Sequence, residues 1–244
     1  MFAENVPLLT LGMLVIALLY SAVGHAGASG YIAVMTLFGI APAVIKPTAL
    51  VLNILVASIT SYQFWKAGHF SWRLFWPFAL FAIPLAFIGG YVNLPVHVFK
   101  MVVGVVLLAS AARFLLKPSD DAEPHEPSRP VAFSTGAALG LLSGLTGTGG
   151  GIFLTPLVLF MRWARTKTAS AISALFILSN SISGLLGNLA ATQKLPALVL
   201  PLMGAVVVGG AVGSYFGSRR LPHTAIKRLL AAVLIIAGLK LIFA

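Results

Sequence analysis

The chain has no cysteine among its 244 residues. That excludes disulfides, thiolate metal sites and cysteine nucleophiles, and it leaves the compartment open. Acidic residues are nearly as scarce: Glu4, Asp120, Asp121, Glu123 and Glu126 stand against sixteen Lys and Arg. Charged residues of either sign make up 9% of the chain, and apolar residues 59%. Residues 5–45, 74–99, 168–193 and 195–218 carry no Asp, Glu, Lys or Arg. A soluble domain cannot hide that much apolar surface, and a β-barrel would alternate polar with apolar over short segments. The sequence therefore specifies an all-α polytopic membrane protein.

The formal net charge of +11 reads as basic loops facing anionic lipid, not as a nucleic-acid surface. The early residues lack a basic run, so no cleaved signal peptide is expected. Four of the five carboxylates lie in "KPSDDAEPHEPSRP", Lys117 to Pro130, a Pro-rich polar stretch that reads as a solvated linker. No carboxylate then falls inside a membrane segment.

The chain also reads as a duplication. Offsetting it by 120 residues places Gly24, Gly27 and Gly30 on Gly144, Gly147 and Gly150, Thr48-Ala49 on Thr168-Ala169, and Gly89-Gly90 on Gly209-Gly210. Thr60 falls on Asn180 and Ser61 on Ser181. After a seven-residue insertion, Leu94-Pro95 and Lys100 fall on Leu221-Pro222 and Lys227. The expected organisation is a repeat over 1–116, a cytoplasmic linker over 117–130 and a second repeat over 131–244. Each repeat would hold a glycine-tipped hairpin and three transmembrane helices. The segments fall near 7–23, 31–40, 46–64, 73–92 and 97–116, then near 131–145, 152–161, 168–187, 195–217 and 224–243.

The segments at 31–40 and 152–161 are too short to cross. Ten to twelve residues reach about 15–18 Å of a hydrocarbon core about 30 Å thick. Each glycine break thus reads as the tip of a broken or re-entrant hairpin near the midplane, with a fully crossing pair as the alternative.

Loop charge orients the halves. If each half changes sides an odd number of times, Lys66, Arg73, Arg113, Lys117, Arg129, Arg162, Arg165, Lys167, Arg219, Arg220, Lys227 and Arg228 share one side. Lys46, Lys100, Lys194 and Lys240 share the other. Twelve against four favours inverted repeats with the linker in the cytoplasm, whereas eight simple crossings would give nine against seven. Trp65, Trp72, Trp76 and Trp163 would form an aromatic belt on the basic side.

Inverted repeats with broken helices describe secondary transporters, whose site lies where the repeats meet. The tips are Gly24, His25, Ala26, Gly27, Ala28, Ser29 and Gly30 in one half, and Gly144–Gly151 in the other, including Thr146, Gly147, Thr148, Gly149, Gly150 and Gly151. Helices starting there present unpaired N–H groups and a partial positive charge to a small anion. Ser29, Thr146 and Thr148 add hydroxyls, and the site is expected to hold its anion with neutral donors, without a nearby lysine or arginine. Arms ending at the tips offer carbonyls, so a carrier of cations or another small solute is the alternative.

His25 is read as a proton carrier or anion donor, or equally as a histidine bonded to a neighbouring carbonyl. Asn53, Thr60, Ser173, Ser179 and Asn180 either line the path or bond between helices. Thr48 and Thr168 read as helix caps. Gly89, Gly90, Gly209 and Gly210 read as helix-packing positions.

"GASG", Gly27–Gly30, matches the G-x-S-G of intramembrane serine proteases, but the repeat places Gly149 opposite Ser29, so the fold does not require a nucleophile there. Lys167-Thr168 lacks the glycines of a P-loop. No cofactor, metal or enzymatic activity is expected.

At "GLTGTGGGIFLTPLVLF" and "VGHAGASGYIAVM", with the duplication and the polar linker, the chain resembles the TauE/SafE sulfite exporter family over nearly its whole length. The resemblance implies export or uptake of small sulfur oxyanions and organosulfonates such as sulfite, sulfoacetate or thiosulfate. It further implies a multi-pass protein of the bacterial cytoplasmic membrane, with lipid and a small anion as partners and a homodimer as a compatible assembly.

Overall fold

A computed structural model describes residues 2–92, 108, 123–192, 196–222, 224–226, 228–229, 231–232, 235–236 and 239. The expected segment at 97–116 lies outside the described residues apart from residue 108, and the one at 224–243 lies partly outside them. Among the described residues all regular structure is helical. In chain order the helices are α1 (Phe2–Ala22), α2 (Ala28–Leu37), α3 (Pro42–Lys66), α4 (Trp72–Tyr91), α5 (Arg129–Thr146), α6 (Gly151–Phe160), α7 (Thr166–Thr192) and α8 (Val199–Tyr215). A π-turn, Phe216–Arg220, continues α8.

Among the described residues four stretches are long and apolar enough to cross a membrane: Ala43–Lys66, Trp72–Tyr91, Thr166–Thr192 and Val199–Arg220. The outward faces of α4 and α8 carry Leu80, Phe81, Phe87, Ile88, Leu200 and Val208, all at least 40% exposed. In hydrocarbon such a surface costs nothing, whereas in water it would be a large apolar patch.

The expected helix-packing glycines Gly89, Gly90, Gly209 and Gly210 do pack against neighbouring helices, and further glycines extend two of these contacts into seams. Along α5, a Cβ on Gly136, Gly140 or Gly144 would lie 2.1–2.2 Å from the backbone oxygens of Phe78, Ala82 and Ala86 on α4. Along α8 and its π-turn, Gly209, Gly213 and Gly217 meet the oxygens of Leu14, Leu18 and Ala22 on α1 at 2.1–2.4 Å. Only glycine allows this approach, and it gives close backbone contact where lipid supplies no hydrophobic drive. Both pairs advance in steps of four in the same direction, so α5 runs parallel to α4 and α1 parallel to α8. Each half's hairpin arm is therefore sealed to a helix of the other half. Gly90 closes a third contact, on the Gly184 oxygen of α7 at 2.2 Å.

The cores follow that exchange. Met13, Tyr31, Met35, Leu52, Val56, Leu202 and Val206 form one, from α1, α2, α3 and α8. Phe78, Leu154, Val158, Ile172 and Phe176, from α4, α6 and α7, form a second with Trp163 of the turn after α6, and Tyr20, Val23, Ile152 and Ile226 form a third. Trp163 is 5% exposed, with its ring 5.8 Å from that of Phe78, so it belongs to the core and not to the aromatic belt. Trp65 and Trp72 are exposed as a belt requires.

Each hairpin joins a long arm to a short one, as the segment lengths predict. In the first, Gly12 lies against Val34 and Gly30 against Ile16, so α2 runs back along α1. The second arms, α2 and α6, have ten residues each, but α1 has 21 and α5 has 18. At 1.5 Å per residue the long arms reach about 31 and 27 Å. With α4 as a ruler, α5 runs from Trp76, where Arg129 sits 5.9 Å over the indole, to Gly90 at the far end. The tips thus pass the middle of the bundle and overlap there. Helix starts also move: α3 begins at Pro42 and α7 at Thr166, so Thr48 and Thr168 lie inside helices and cap neither.

The described basic residues other than Lys46 gather at one end of the bundle. Arg219 bonds Gln63 at 2.8 Å, and Lys167 and His69 both bond the Ser218 oxygen, at 3.3 and 3.0 Å. Arg73 pairs with Glu126 of the linker at 2.8 Å, and the linker's His125 N–H donates to the Arg162 oxygen.

Candidate functional site

The first tip turns through two left-handed glycines, Gly24 (φ 84°) and Gly27 (φ 102°). A Cβ at Gly24 would lie 2.5 Å from the Ser170 oxygen, and the Ser170 hydroxyl donates to the Val23 oxygen at 2.8 Å. The second tip turns through Gly147, Gly149 and Gly150, at φ 71°, 77° and 78°. A Cβ on Gly149 would lie 2.7 Å from both Asn53 Nδ2 and Ile177 Cγ2. Positive φ and lack of room both demand glycine at 24 and 149. Two further tip glycines pack on apolar side chains, Gly30 on Ile16 and Gly151 on Ile177, each at 2.4 Å. Ala26 and Ala28 are buried, in the core that contains Met13.

Neither α2 nor α6 has a side-chain cap, their N-caps being Gly27 and Gly150. What serves α2 instead is a residue from the middle of α3. Asn53 Oδ1 accepts from the Ala28 N–H at 3.0 Å, while its Nδ2 donates to the Thr148 oxygen at 3.3 Å and to Ser181 Oγ at 3.2 Å. One fully buried amide thus joins the first tip, the second tip and α7.

His25 makes the second junction. Its Nε2 is 2.8 Å from Thr155 Oγ1, one turn into α6, and Thr155 donates to Ser173 Oγ at 2.7 Å. Since the single hydroxyl proton of Thr155 is committed to Ser173, Nε2 carries the proton and is the donor. Nδ1 is buried and makes no hydrogen bond of good geometry. His25 therefore holds a side chain of the other half, a partner that the sequence does not indicate. Replacing Thr155 with valine leaves two buried groups unsatisfied and should cost about 1–3 kcal/mol. In a double-mutant cycle with His25→Gln, thermal unfolding in detergent should show coupling, and strict additivity would show that the contact is energetically idle.

The tip hydroxyls are engaged within the protein. Ser29 Oγ donates to Tyr20 OH at 3.1 Å. Thr146 donates to the Leu142 oxygen at 2.7 Å, which leaves Thr148 to donate to Thr146 across 2.8 Å. Ser29 and His25 face different partners, so the nucleophile and base of a G-x-S-G protease are not assembled.

Thr60 and Asn180 are both fully buried, and neither the Thr60 hydroxyl nor either amide atom of Asn180 has a hydrogen-bond partner. Ser58 and Ser179, close by on the same helices, bond the backbone four residues back, at 2.7 and 2.9 Å. Thr60 and Asn180 thus lack the bond between helices that an idle polar residue makes. Burying them unsatisfied is costly, and two positions 120 residues apart in the chain carry that cost.

Four residues that touch the tips or their supports carry no functional signal in the sequence. Thr155, Ser170 and Tyr20 had no signal beyond polarity inside an apolar run. The charge pattern reads Lys46 as a loop residue, but it sits on α3 with Cγ 3.0 Å from where a Gly147 Cβ would lie. The expectation of a tip without a nearby cation is corrected accordingly.

This arrangement, two interlocked glycine tips held by buried polar bridges inside a bundle of apolar helices, is that of a membrane carrier. The model of the family described as Sulfite exporter TauE/SafE matches residues 8–241. The chain belongs to that family. It is 42% identical over 240 residues to the "Probable membrane transporter protein y4hK" of Sinorhizobium fredii (strain NBRC 101917 / NGR234), a match covering 96% of this chain and 97% of that one. No solved structure matches it. The protein is a multi-pass membrane transporter of the TauE/SafE type, not an enzyme.

Proposed function

We propose that this protein is a secondary transporter of a small sulfur-containing anion such as sulfite, sulfoacetate or thiosulfate, in the bacterial cytoplasmic membrane. The observation that carries this reading is the buried Asn53 amide, which accepts from the Ala28 N–H at the start of α2 and donates to the Thr148 oxygen of the second tip, so that the two glycine tips meet. Main-chain N–H groups at the starts of α2 and α6 receive the anion, because a helix N-terminus offers both donors and partial positive charge. The arrangement described is the closed one. Opening toward either face breaks the Asn53 and His25 bridges and frees the hydroxyls of Ser29, Thr146 and Thr148 as donors.

The parallel seams, α1 with α8 and α4 with α5, support two inverted repeats over 1–116 and 131–244 with a cytoplasmic linker over 117–130. Each seam joins a hairpin of one half to a helix of the other, so a hairpin moves with its foreign partner. With no carboxylate in a membrane segment, the membrane potential is a sufficient driving force. An inside-negative potential of 100 mV favours exit of a monovalent anion by about 2.3 kcal/mol.

Proteoliposomes carrying the purified protein should show saturable flux of labelled sulfite, thiosulfate or a short sulfonate, increased by a potential of the correct sign. Absence of saturable flux for every one of these anions would sink the reading.

A further inference from the structure

We propose that Lys46 and Lys167 are a matched pair of anion-recruiting residues, one at each mouth of the pathway, passing small oxyanions to the adjacent tip. This rests on the anion-transport reading and assigns to that pathway two residues outside the tips. Lys46 is half-buried near the start of α3, and its Nζ donates to the Gly90 oxygen at 3.2 Å and the Gly89 oxygen at 3.4 Å. Those are carbonyls of the last turn of α4, which have no partner within the helix. The lysine stem lies across Gly147, so the ammonium is carried to the edge of the second tip.

At the basic end Lys167 is equally half-buried, near the start of α7. Its Nζ donates to the Ser218 oxygen at 3.3 Å, a carbonyl of the π-turn that ends α8. Ser218 lies where Gly217 meets the Ala22 oxygen, at the foot of the first tip. Ser170, one turn beyond Lys167 on α7, bears the Gly24 turn.

The two lysines thus repeat one device, since each parks its ammonium on the carbonyl end of the fourth helix of a half, beside a tip. Under the duplication they occupy neighbouring positions: Lys46 falls on Thr166 and Lys167 on Pro47. A carbonyl partner engages an ammonium without neutralising it, as a carboxylate would. Each lysine has three donors, so an arriving oxyanion gains a charge-assisted bond without breaking an ion pair. The same bond holds the cation short of the tip, which leaves the deeper site to neutral donors and lets the anion leave it.

Apparent KM, measured in sealed vesicles with the anion presented at one face at a time, tests the pair. Removing a charged hydrogen bond to the anion in K46Q should raise KM about tenfold at the face where α3 begins, with KM at the basic face within about twofold of wild type. K167Q should do the converse. K46R and K167R should stay near wild type, and the unaffected face of each variant reports that it is folded. Without any variant, raising ionic strength should raise the wild-type KM at both faces. Saturable wild-type flux with KM unmoved by K46Q, K167Q and salt would overturn the pair and leave the transport reading standing. Arg variants as damaged as the Gln variants would reduce both lysines to helix clamps. A wild type that carries none of the anions would sink the transport reading itself, and the pair with it.

Discussion

Asn53→Asp should be more damaging than Asn53→Ala, although aspartate is the closest match in shape. The Asn53 amide accepts from Ala28 N and donates to the Thr148 oxygen and Ser181 Oγ. Alanine removes all three bonds and leaves groups that cost about 1–3 kcal/mol each when buried without a partner. Aspartate keeps the acceptor for Ala28 but turns a second oxygen toward the Thr148 carbonyl, adding repulsion and a buried charge. A loss of more than tenfold in flux is expected for Asp, with a smaller loss for Ala. Lowering the pH should partly rescue the Asp variant alone, because a protonated carboxyl regains an O–H that can donate toward Thr148. Flux and thermal unfolding measured for N53A and N53D at two pH values test this. A tolerated Asp with no pH dependence would mean that the bridge between the tips does not matter.

The second large effect concerns the seams. Gly144→Val should abolish stable folding, because even its Cβ would lie 2.1 Å from the Ala86 oxygen and 2.7 Å from the Gly90 nitrogen. Both are backbone atoms of α4 that cannot swing aside, so α5 would have to leave α4 along its upper half. Overpacking on this scale exceeds the 1–3 kcal/mol typical of an inserted methylene. The contrast is Gly204, inside α8, where an added Cβ meets nothing within 4 Å. Gly204→Ala should be neutral or stabilising by up to about 1 kcal/mol through helix propensity. Detergent-solubilised yield, a monodisperse elution profile and the melting temperature separate the two. A well-folded Gly144→Val protein would contradict the described seam.

Much of the architecture was legible in the sequence because membrane burial acts through simple, local quantities. Long charge-free runs announced the helices, and the mid-chain polar stretch divided them. The glycine coincidences at an offset of 120 located both tips, since positive φ and close backbone approach admit few other residues. Loop charge gathered the basic ends on one side, and the described members are found together. Trp163 shows the limit of that logic. Its place beside Arg162 and Arg165 suggested a belt residue, but its ring turned inward onto Phe78, which no linear pattern encodes.

The site itself was legible only in outline. Asn53, Thr60 and Asn180 stood out as polar residues in apolar surroundings, yet nothing in the sequence distinguished the bridging amide from the unsatisfied ones. Thr155, Ser170 and Lys46 had no periodic or motif signal because their roles depend on partners more than forty positions away. The composition and spacing of this chain, by themselves, determined a multi-pass helical bundle with two glycine-tipped breaks. The tertiary structure alone decided that the long arms cross most of the bundle, that each is sealed to a helix of the other half, and that Asn53 and His25 join the tips. The physical reason is that burial and backbone strain are set residue by residue. The pairing of buried polar groups, by contrast, is settled only when distant helices come within hydrogen-bonding reach.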